Sequence, residues 1–220
     1  PGLGLIAFPA REDPRDVLIS RDGKCWSEIP EGSRVGTGSL RRRAQLLTLR
    51  PDLEIIPLRG NLDTRIKKLS TLKLAAIVLA SAGLRRMGWE ERITEYFDPE
   101  VMLPAIGQGV LAIEGRLGDE RIRQLVAPLS HYPTEVSITA ERAFLQGLEG
   151  GCQVPIAGLA KVESDRLSLT GLVAAVGGHK VIRGKVEGSA AKSEELGKQL
   201  AGELLAKGAG DILREVYRKG

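Results

Sequence analysis

The sequence predicts an α/β protein that carries a second, smaller α+β domain towards its C-terminus. Hydrophobic residues make up 42% of the 220 residues and aromatic residues only 4%, a profile typical of alternating α/β domains with aliphatic cores. Strand and helix patterns alternate between residues 33 and 88, which favours a parallel sheet with helices on its faces. Three successive strands separated by short turns then predict an antiparallel sheet.

The first half of the chain gives the alternating pattern. Its clearest strand, residues 75–80, is a continuous apolar run of the kind that is buried on both faces of a sheet. The predicted strands cover about residues 3–8, 17–19, 33–36, 53–58 and 75–80, and the predicted helices about residues 40–49, 62–72 and 82–87.

The second half begins with residues 104–116, where glycines punctuate a crossing into a further strand. An amphipathic helix over 134–148 carries Val136, Ala140 and Phe144 on one stripe, and the glycine pair that follows is an expected terminator. The remaining strands are predicted at about 156–163, 166–176 and 180–187, and the remaining helices at about 191–207 and 209–218.

Composition narrows the classes of function. The net charge of +4 and the pI of about 9.2 suit either nucleic acids or small anions as ligands, but few aromatics argue against nucleic-acid binding. No apolar run is long enough for a transmembrane helix, and no leader pattern opens the chain. The spacing of the only cysteines, Cys25 and Cys152, predicts no disulfide or zinc site and suits the reducing cytoplasm.

The start of the chain also carries an expectation. It opens without methionine and runs directly into a strand-like segment. We therefore expect the chain to be a fragment of a longer protein.

A run of arginines at one helix N-terminus is the most informative local feature. Small residues follow the strand, Ser39 is placed to cap the helix, and Arg41, Arg42 and Arg43 occupy its first turn. Cations there oppose the helix dipole by roughly 0.3–1 kcal/mol each, a conflict that a bound anion would resolve. The alternative is an ordinary solvated helix face, which we favour for Arg43 because it lies on another side of the helix.

The same arrangement recurs after the next strand. Gly60 permits close backbone approach, and Arg59 and Arg65 bracket the start of the next helix. Since the carboxyl ends of parallel strands line the ligand crevice of an open sheet, two such junctions side by side predict a ligand with several carboxylates or phosphates.

Cys152 follows a glycine pair and precedes Pro155, so it is placed in a loop where a thiol can act as a nucleophile or an attachment point. The alternative is a small buried apolar side chain. Neither histidine is near it in sequence, which gives a Cys–His arrangement poor support. Cys25 has no comparable setting.

Seven segments share a common register over essentially the whole chain: residues 11–16, 35–42, 59–65, 79–86, 103–109, 140–143 and 148–152. Any one alone would be a weak signal, whereas the set in this order is specific. Together they resemble the hydroxymethylbilane synthase (porphobilinogen deaminase) family in order and spacing.

The resemblance implies a fold of three domains, the first two similar to type II periplasmic binding proteins, with a mixed or parallel sheet. The smaller α+β C-terminal domain has a three-stranded antiparallel sheet. In this chain the implied divisions are remnants of domain one at 1–13 and 104–131, domain two at 14–103, and domain three at 132–220.

The resemblance also implies a transferase that condenses four porphobilinogen molecules head to tail into hydroxymethylbilane and releases ammonia. A covalent dipyrromethane cofactor, thioether-linked to Cys152, primes the reaction. Arg41, Arg42 and Arg65 match residues that bind the cofactor carboxylates, and Arg59 and Arg86 match arginines that handle substrate or the growing chain. The implied positions near the cofactor are Thr37, Ser39, Asn61, Gln108 and Gly109.

Two departures from the family pattern limit these expectations. The aspartate that handles proton transfer in the family lies upstream of this sequence, so no catalytic residue and no metal ligand is assigned here. Gly38 stands where many members carry a serine or threonine. We therefore expect little activity from this chain alone, unless a missing N-terminal segment is supplied separately.

The expected partners are porphobilinogen and the growing pyrrole chain, without nucleic acid or membrane, in a monomer located in the cytoplasm. A solute-binding-like module for a polycarboxylate stays open as an alternative, and it predicts an unmodified thiol. A nucleic-acid-binding regulator is a third reading, which steep salt dependence would reveal.

Overall fold

The computed structural model describes residues 2–149 and 154–219, which form three sheets with helices packed around them. No helix in this described part is long and apolar enough to cross a membrane.

The first half of the chain forms a five-stranded mixed sheet of order β4-β3-β5-β2-β6. Its strands are β2 (Asp16–Ser20), β3 (Arg34–Thr37), β4 (Glu54–Pro57), β5 (Ala76–Ala80) and β6 (Glu95–Tyr96). The helices of this unit are α1 (Leu40–Leu49), α2 (Leu62–Thr71) and α3 (Ser81–Arg86). β3 runs parallel to β4 and β5, whereas β2 is antiparallel to β5 and β6. The alternation of strands and helices is confirmed, and the sheet is mixed because β2 enters from the opposite direction.

Both faces of this sheet are buried, as the apolar run of β5 predicts. Val78 faces a cluster with Leu18, Val35 and Leu46 of α1, while Ile77 on the opposite face packs in the cluster that α2 and α3 cover. The side chains alternate in this way because successive residues of a strand point to opposite faces.

The C-terminal sheet is antiparallel with the order β10-β9-β8, as predicted. Its elements are β8 (Ile156–Glu163), β9 (Arg166–Ala174) and β10 (Val181–Ser189), with α5 (Tyr132–Gly147), α6 (Ser193–Ala206) and α7 (Ala209–Lys219). Phe144 of α5 fills the core, and the glycines beneath it are required for space. A Cβ at Gly171 would lie 2.5 Å from the Phe144 ring, and one at Gly158 would lie 2.5 Å from Ile106 Cδ1.

A two-stranded antiparallel sheet joins β1 (Leu3–Ala7) to β7 (Ile113–Arg116), and α4 (Glu120–Val126) follows it. The predicted crossing over 104–116 becomes a strand only at β7. No helix is predicted at α4, although Ile122, Leu125 and Val126 stand at helical spacing; none of the residues of α4 is buried. Large apolar side chains stand exposed around this small sheet, among them Leu3, Leu117, Leu125 and Leu129.

Helix α1 joins the two larger sheets. Ala44 on this helix packs with Leu103 and with residues of β8 and β9. At its C-terminal end, Thr48 Oγ1 donates a 2.8 Å hydrogen bond to the Gly178 carbonyl. Gly178 has φ +75°, and a Cβ there would lie 2.7 Å from the Thr48 nitrogen, so only glycine permits this approach.

Glu141 of α5 is fully buried and connects three parts of the chain. Its carboxylate accepts hydrogen bonds from Arg11 Nη1 at 2.5 Å, from the Gly107 nitrogen at 2.7 Å and from the Ala160 nitrogen at 2.9 Å. It therefore holds the segments around residues 11 and 107 against the C-terminal sheet.

We expect Glu141→Gln to lower the free energy of unfolding by about 3 kcal/mol or more, because the Arg11 guanidinium loses its buried countercharge. Denaturant unfolding measures the change. Glu135→Gln, an exposed position on the same helix, is the matched control and should stay near the unmodified value. Equal stability of the two variants would contradict this role for Glu141.

Candidate functional site

Two helix N-termini lie side by side at one edge of the mixed sheet. Ser39 Oγ accepts a 3.4 Å hydrogen bond from the Arg42 nitrogen at the start of α1, and Asn61 Oδ1 accepts one of 2.9 Å from the Thr64 nitrogen at the start of α2. The junctions are neighbours because β3 and β4 are adjacent and parallel. They also touch, since a Cβ on Gly38 would lie 2.2 Å from the Leu58 carbonyl oxygen.

Arg41 and Arg42 are buried, with only 4% and 6% of their surface exposed, and both bind Asp16. Arg41 Nη1 donates to Asp16 Oδ2 at 2.5 Å, and Arg42 Nε donates to Asp16 Oδ1 at 2.9 Å. Arg41 Nη1 also donates to the Leu103 carbonyl at 2.8 Å. The alternative of a solvated helix face is therefore wrong for these two arginines.

Gln108 completes this cluster from a distant segment. Its amide nitrogen donates to Asp16 Oδ1 at 2.9 Å and to the Pro14 carbonyl at 2.6 Å. Its amide oxygen accepts from Arg41 Nη2 at 3.3 Å and from Arg42 Nη2 at 3.4 Å. We call Asp16, Arg41, Arg42 and Gln108 the arginine cluster.

Asp16 is the member that sequence reasoning missed. A signal for it exists, because an aspartate directly precedes the apolar residues of a buried strand, and a buried carboxylate needs a charged or hydrogen-bonding partner. The motif of residues 11–16 contributes to the family resemblance, yet no site role follows from it without the fold.

The electrostatics of the arginine cluster favour an anion. Burial raises the pKa of Asp16, but the charges of Arg41 and Arg42 outweigh it, so the pKa of this carboxyl lies below its usual range. Burial lowers the pKa of Arg42, and the nearby charges of Arg41 and Arg65 lower it further. Two guanidinium groups thus share one carboxylate, and the cluster keeps an excess of one positive charge.

The other predicted binding residues surround the cluster at different depths. Thr37 is buried and its hydroxyl accepts from the Ser39 nitrogen at 3.3 Å. Arg65 Nε donates to the Gly60 carbonyl at 2.8 Å. Arg59 is exposed, and its guanidinium has no partner among residues 2–149 and 154–219.

Arg86 lies further along this edge, on α3. It is exposed, and its Nη2 donates to the Gly109 carbonyl at 2.9 Å. Gly109 has φ +85°, and a Cβ there would lie 2.3 Å from the Glu12 carbonyl oxygen. This glycine therefore allows two chain segments to cross in direct contact next to the cluster.

The cysteines and Arg43, which the sequence analysis also considered, are not part of the cluster in the described residues. Cys152 and its glycine pair lie outside the described residues. Arg43 is half-buried rather than fully solvated. Cys25 is exposed. Within the part of the chain that the structure describes, no group of three or more His, Cys, Asp or Glu side chains could hold a metal ion.

The lowered pKa of Asp16 predicts an acid-dependent stability. The carboxylate stabilises the fold above its unfolded pKa of about 3.9, and this contribution is lost as the pH falls through the lower folded value. We expect Asp16→Asn to reduce the pH dependence of the free energy of unfolding below about pH 4. Denaturant titrations between about pH 2 and 7 measure it.

Asp22→Asn is the control for this titration, because Asp22 also has a lowered pKa but pairs with Arg21 in solvent, where screening weakens the interaction. The Asp22 variant should follow the unmodified protein closely. An unchanged acid slope in Asp16→Asn would contradict the assignment.

Two family models match this chain. The family model "Porphobilinogen deaminase, dipyromethane cofactor binding domain" matches residues 1–124, and "Porphobilinogen deaminase, C-terminal domain" matches residues 136–206. A periplasmic binding protein of Salmonella typhimurium with high arginine specificity aligns over 58% of this chain and 57% of its own, at 16% identity and a TM-score of 0.36. Similarity that low is not evidence of a common fold.

Two relatives from bacteria show the extent of the similarity. The porphobilinogen deaminase of Syntrophobacter fumaroxidans is 50% identical over 217 residues, covering 99% of this chain and 70% of the relative. That of Geobacter metallireducens is 49% identical over 218 residues, covering 99% of this chain and 68% of the relative. The chain belongs to the porphobilinogen deaminase (hydroxymethylbilane synthase) family, the dipyrromethane-dependent transferases of tetrapyrrole synthesis.

Proposed function

We propose that this chain supplies the carboxylate-binding and cofactor-bearing part of an enzyme that condenses four porphobilinogen molecules into hydroxymethylbilane with release of ammonia. The observation that carries the proposal is the arginine cluster at the N-terminus of α1, beside the N-terminus of α2, with its excess positive charge. Each pyrrole ring of the substrate and cofactor carries two carboxylates, so a ligand of this class supplies the negative charge that neutralises the excess positive charge of the cluster.

In this proposal Arg41, Arg42 and Arg65 bind carboxylates of the dipyrromethane. The cofactor, when bound, supplies the pyrrole chain to which substrate is added. Thr37 and Ser39 stand at the α1 N-terminus, where backbone N–H groups and the helix dipole also favour an anion. The unpartnered Nε of Arg41, buried among described residues, is a donor not used by the protein.

Arg59 and Arg86 act on the incoming substrate or the growing chain. Both are exposed at the same edge as the cluster, where a guanidinium can engage a carboxylate without first leaving a buried partner. Three further residues position the backbone around the cluster. Asn61 caps α2, Gln108 bonds within the cluster, and Gly109 allows the two chain segments to cross.

Proton transfer requires a group that the cluster does not provide. Asp16 is held ionised by two guanidinium groups, and a carboxyl with a lowered pKa is a poor proton donor near neutral pH. We therefore assign no catalytic residue in this chain, and we propose that the family's aspartate stands in a preceding N-terminal segment.

We propose domains at 14–103 and 132–220, with 1–13 and 104–131 as parts of a further domain, and a type II periplasmic-binding-protein-like arrangement for the first of these. The exposed apolar residues around β1 and β7 support a further segment of the protein that packs on this sheet, since a two-stranded sheet is only marginally stable by itself. We also propose that the chain alone has little activity and that the protein is a cytoplasmic monomer.

We expect the chain, extended at its N-terminus to the length of its relatives, to carry dipyrromethane on Cys152. Intact mass and the colour reaction of pyrroles with Ehrlich's reagent measure the adduct. Cys152→Ser should abolish both signals, whereas Cys25→Ser, which removes the exposed cysteine, should leave them unchanged. An unmodified thiol in a chain that binds polycarboxylates would instead favour the solute-binding alternative.

We expect Arg59→Gln in the same extended chain to lower kcat/KM for porphobilinogen by about 10-fold or more, as the loss of a charge-assisted hydrogen bond predicts. Its stability should be unchanged, because the Arg59 guanidinium has no described partner to lose. Arg121→Gln, exposed on α4, is the matched control for removal of a surface charge. Equal kinetics for the two variants would remove Arg59 from the site.

A further inference from the structure

We infer that Asp16 is a positioning residue for carboxylate binding: it orients Arg41 and Arg42 and leaves the pair one unit of positive charge for the ligand. This inference rests on the function proposed above. Asp16 contacts the two arginines rather than the reacting atoms, so it acts through them.

The position of Asp16 is fixed by its backbone. It is the first residue of β2, it pairs with Ala80 of β5, and its carbonyl accepts a 2.9 Å hydrogen bond from the Phe97 nitrogen. Its side chain is fully buried. A carboxylate held in this way is a rigid reference point for any guanidinium that binds it.

The two arginines are coupled to each other through this point. Asp16 Oδ1 accepts from Arg42 Nε at 2.9 Å and from Arg41 Nη2 at 3.2 Å. Gln108 bridges the same pair from the other direction, because its amide oxygen accepts from both guanidinium groups. Neither guanidinium can turn without breaking contacts that the other shares.

The carboxylate also sets the charge of the pair. Without it, two buried like charges would lie next to each other with only neutral acceptors, and their repulsion would turn them towards solvent. With it, one excess charge remains, and the pKa of Arg42 lies below its usual value because of burial and of the charges of Arg41 and Arg65. A ligand carboxylate relieves that excess.

The test compares cofactor loading in the extended chain with Asp16→Asn and with Leu18→Ala. Leu18 is fully buried on the same strand and belongs to the apolar core, so its truncation destabilises the fold while every side chain of the cluster is kept. Circular dichroism identifies a temperature at which each variant is folded. If Leu18→Ala does not fold, Ile19→Val replaces it. Intact mass then gives the fraction of chains that carry dipyrromethane.

The Asp16→Asn variant should load the cofactor about 10-fold less completely under limiting supply, a factor equivalent to 1.4 kcal/mol, while the core variant loads as the unmodified chain does. Loading of Asp16→Asn at the unmodified level, or an equal loss in the core variant, would overturn the positioning role. If the unmodified extended chain itself carries no cofactor, the proposed function fails first, so the two failures are distinguishable.

Discussion

The buried carboxylate of Asp16 determines how the candidate site is built, because it sits between two guanidinium groups that would otherwise repel each other. Burying three charged groups is unfavourable unless each is paired and hydrogen-bonded. Here Asp16 pairs with Arg41 and Arg42, and Gln108 supplies both a donor and an acceptor to the group. The arrangement draws residues from β2, from α1 and from the segment around residue 108 into one place.

Helix α1 extends this constraint to the C-terminal sheet. Its first turn carries the two arginines, and its middle carries Gln45, which exchanges two hydrogen bonds with the Leu103 backbone at 3.0 and 2.8 Å. Its last turn carries Thr48, which binds Gly178 between β9 and β10. The sheet that follows Cys152 in sequence is therefore anchored to the same helix that positions the arginines.

Local patterns in the sequence predicted the elements that have strong periodicity or clear terminators. The apolar run of β5, the stripe of α5 and the turns of the C-terminal hairpins are of this kind. The two-residue β6 strand carries no such signal. The α4 helix does carry one, an Asp119 N-cap followed by Ile122, Leu125 and Val126 at helical spacing, and the sequence prediction missed it. The antiparallel direction of β2 depends on how distant segments meet, which periodicity does not reveal.

In the candidate site, too, local features could be predicted from the sequence and contacts between distant segments could not. The two arginine-rich junctions could be predicted because strand ends and helix starts are local features, and parallel strands bring them together. Which face of α1 is buried could not be predicted, because that depends on Asp16 and Gln108, which are 92 residues apart. Arg41 and Arg42 were expected to face a ligand, whereas in the structure both also bind the carboxylate of Asp16.

We expect ligand carboxylates to bind the guanidinium groups of Arg41 and Arg42 while Asp16 stays between them. A crystal structure of the extended chain with its cofactor tests this directly. A cofactor carboxylate oxygen should lie within hydrogen-bond distance, about 2.7–2.9 Å, of Arg41 or Arg42, with the Asp16 contacts retained. Cofactor carboxylates bound only by other residues, with both guanidinium groups still confined to Asp16, would contradict it.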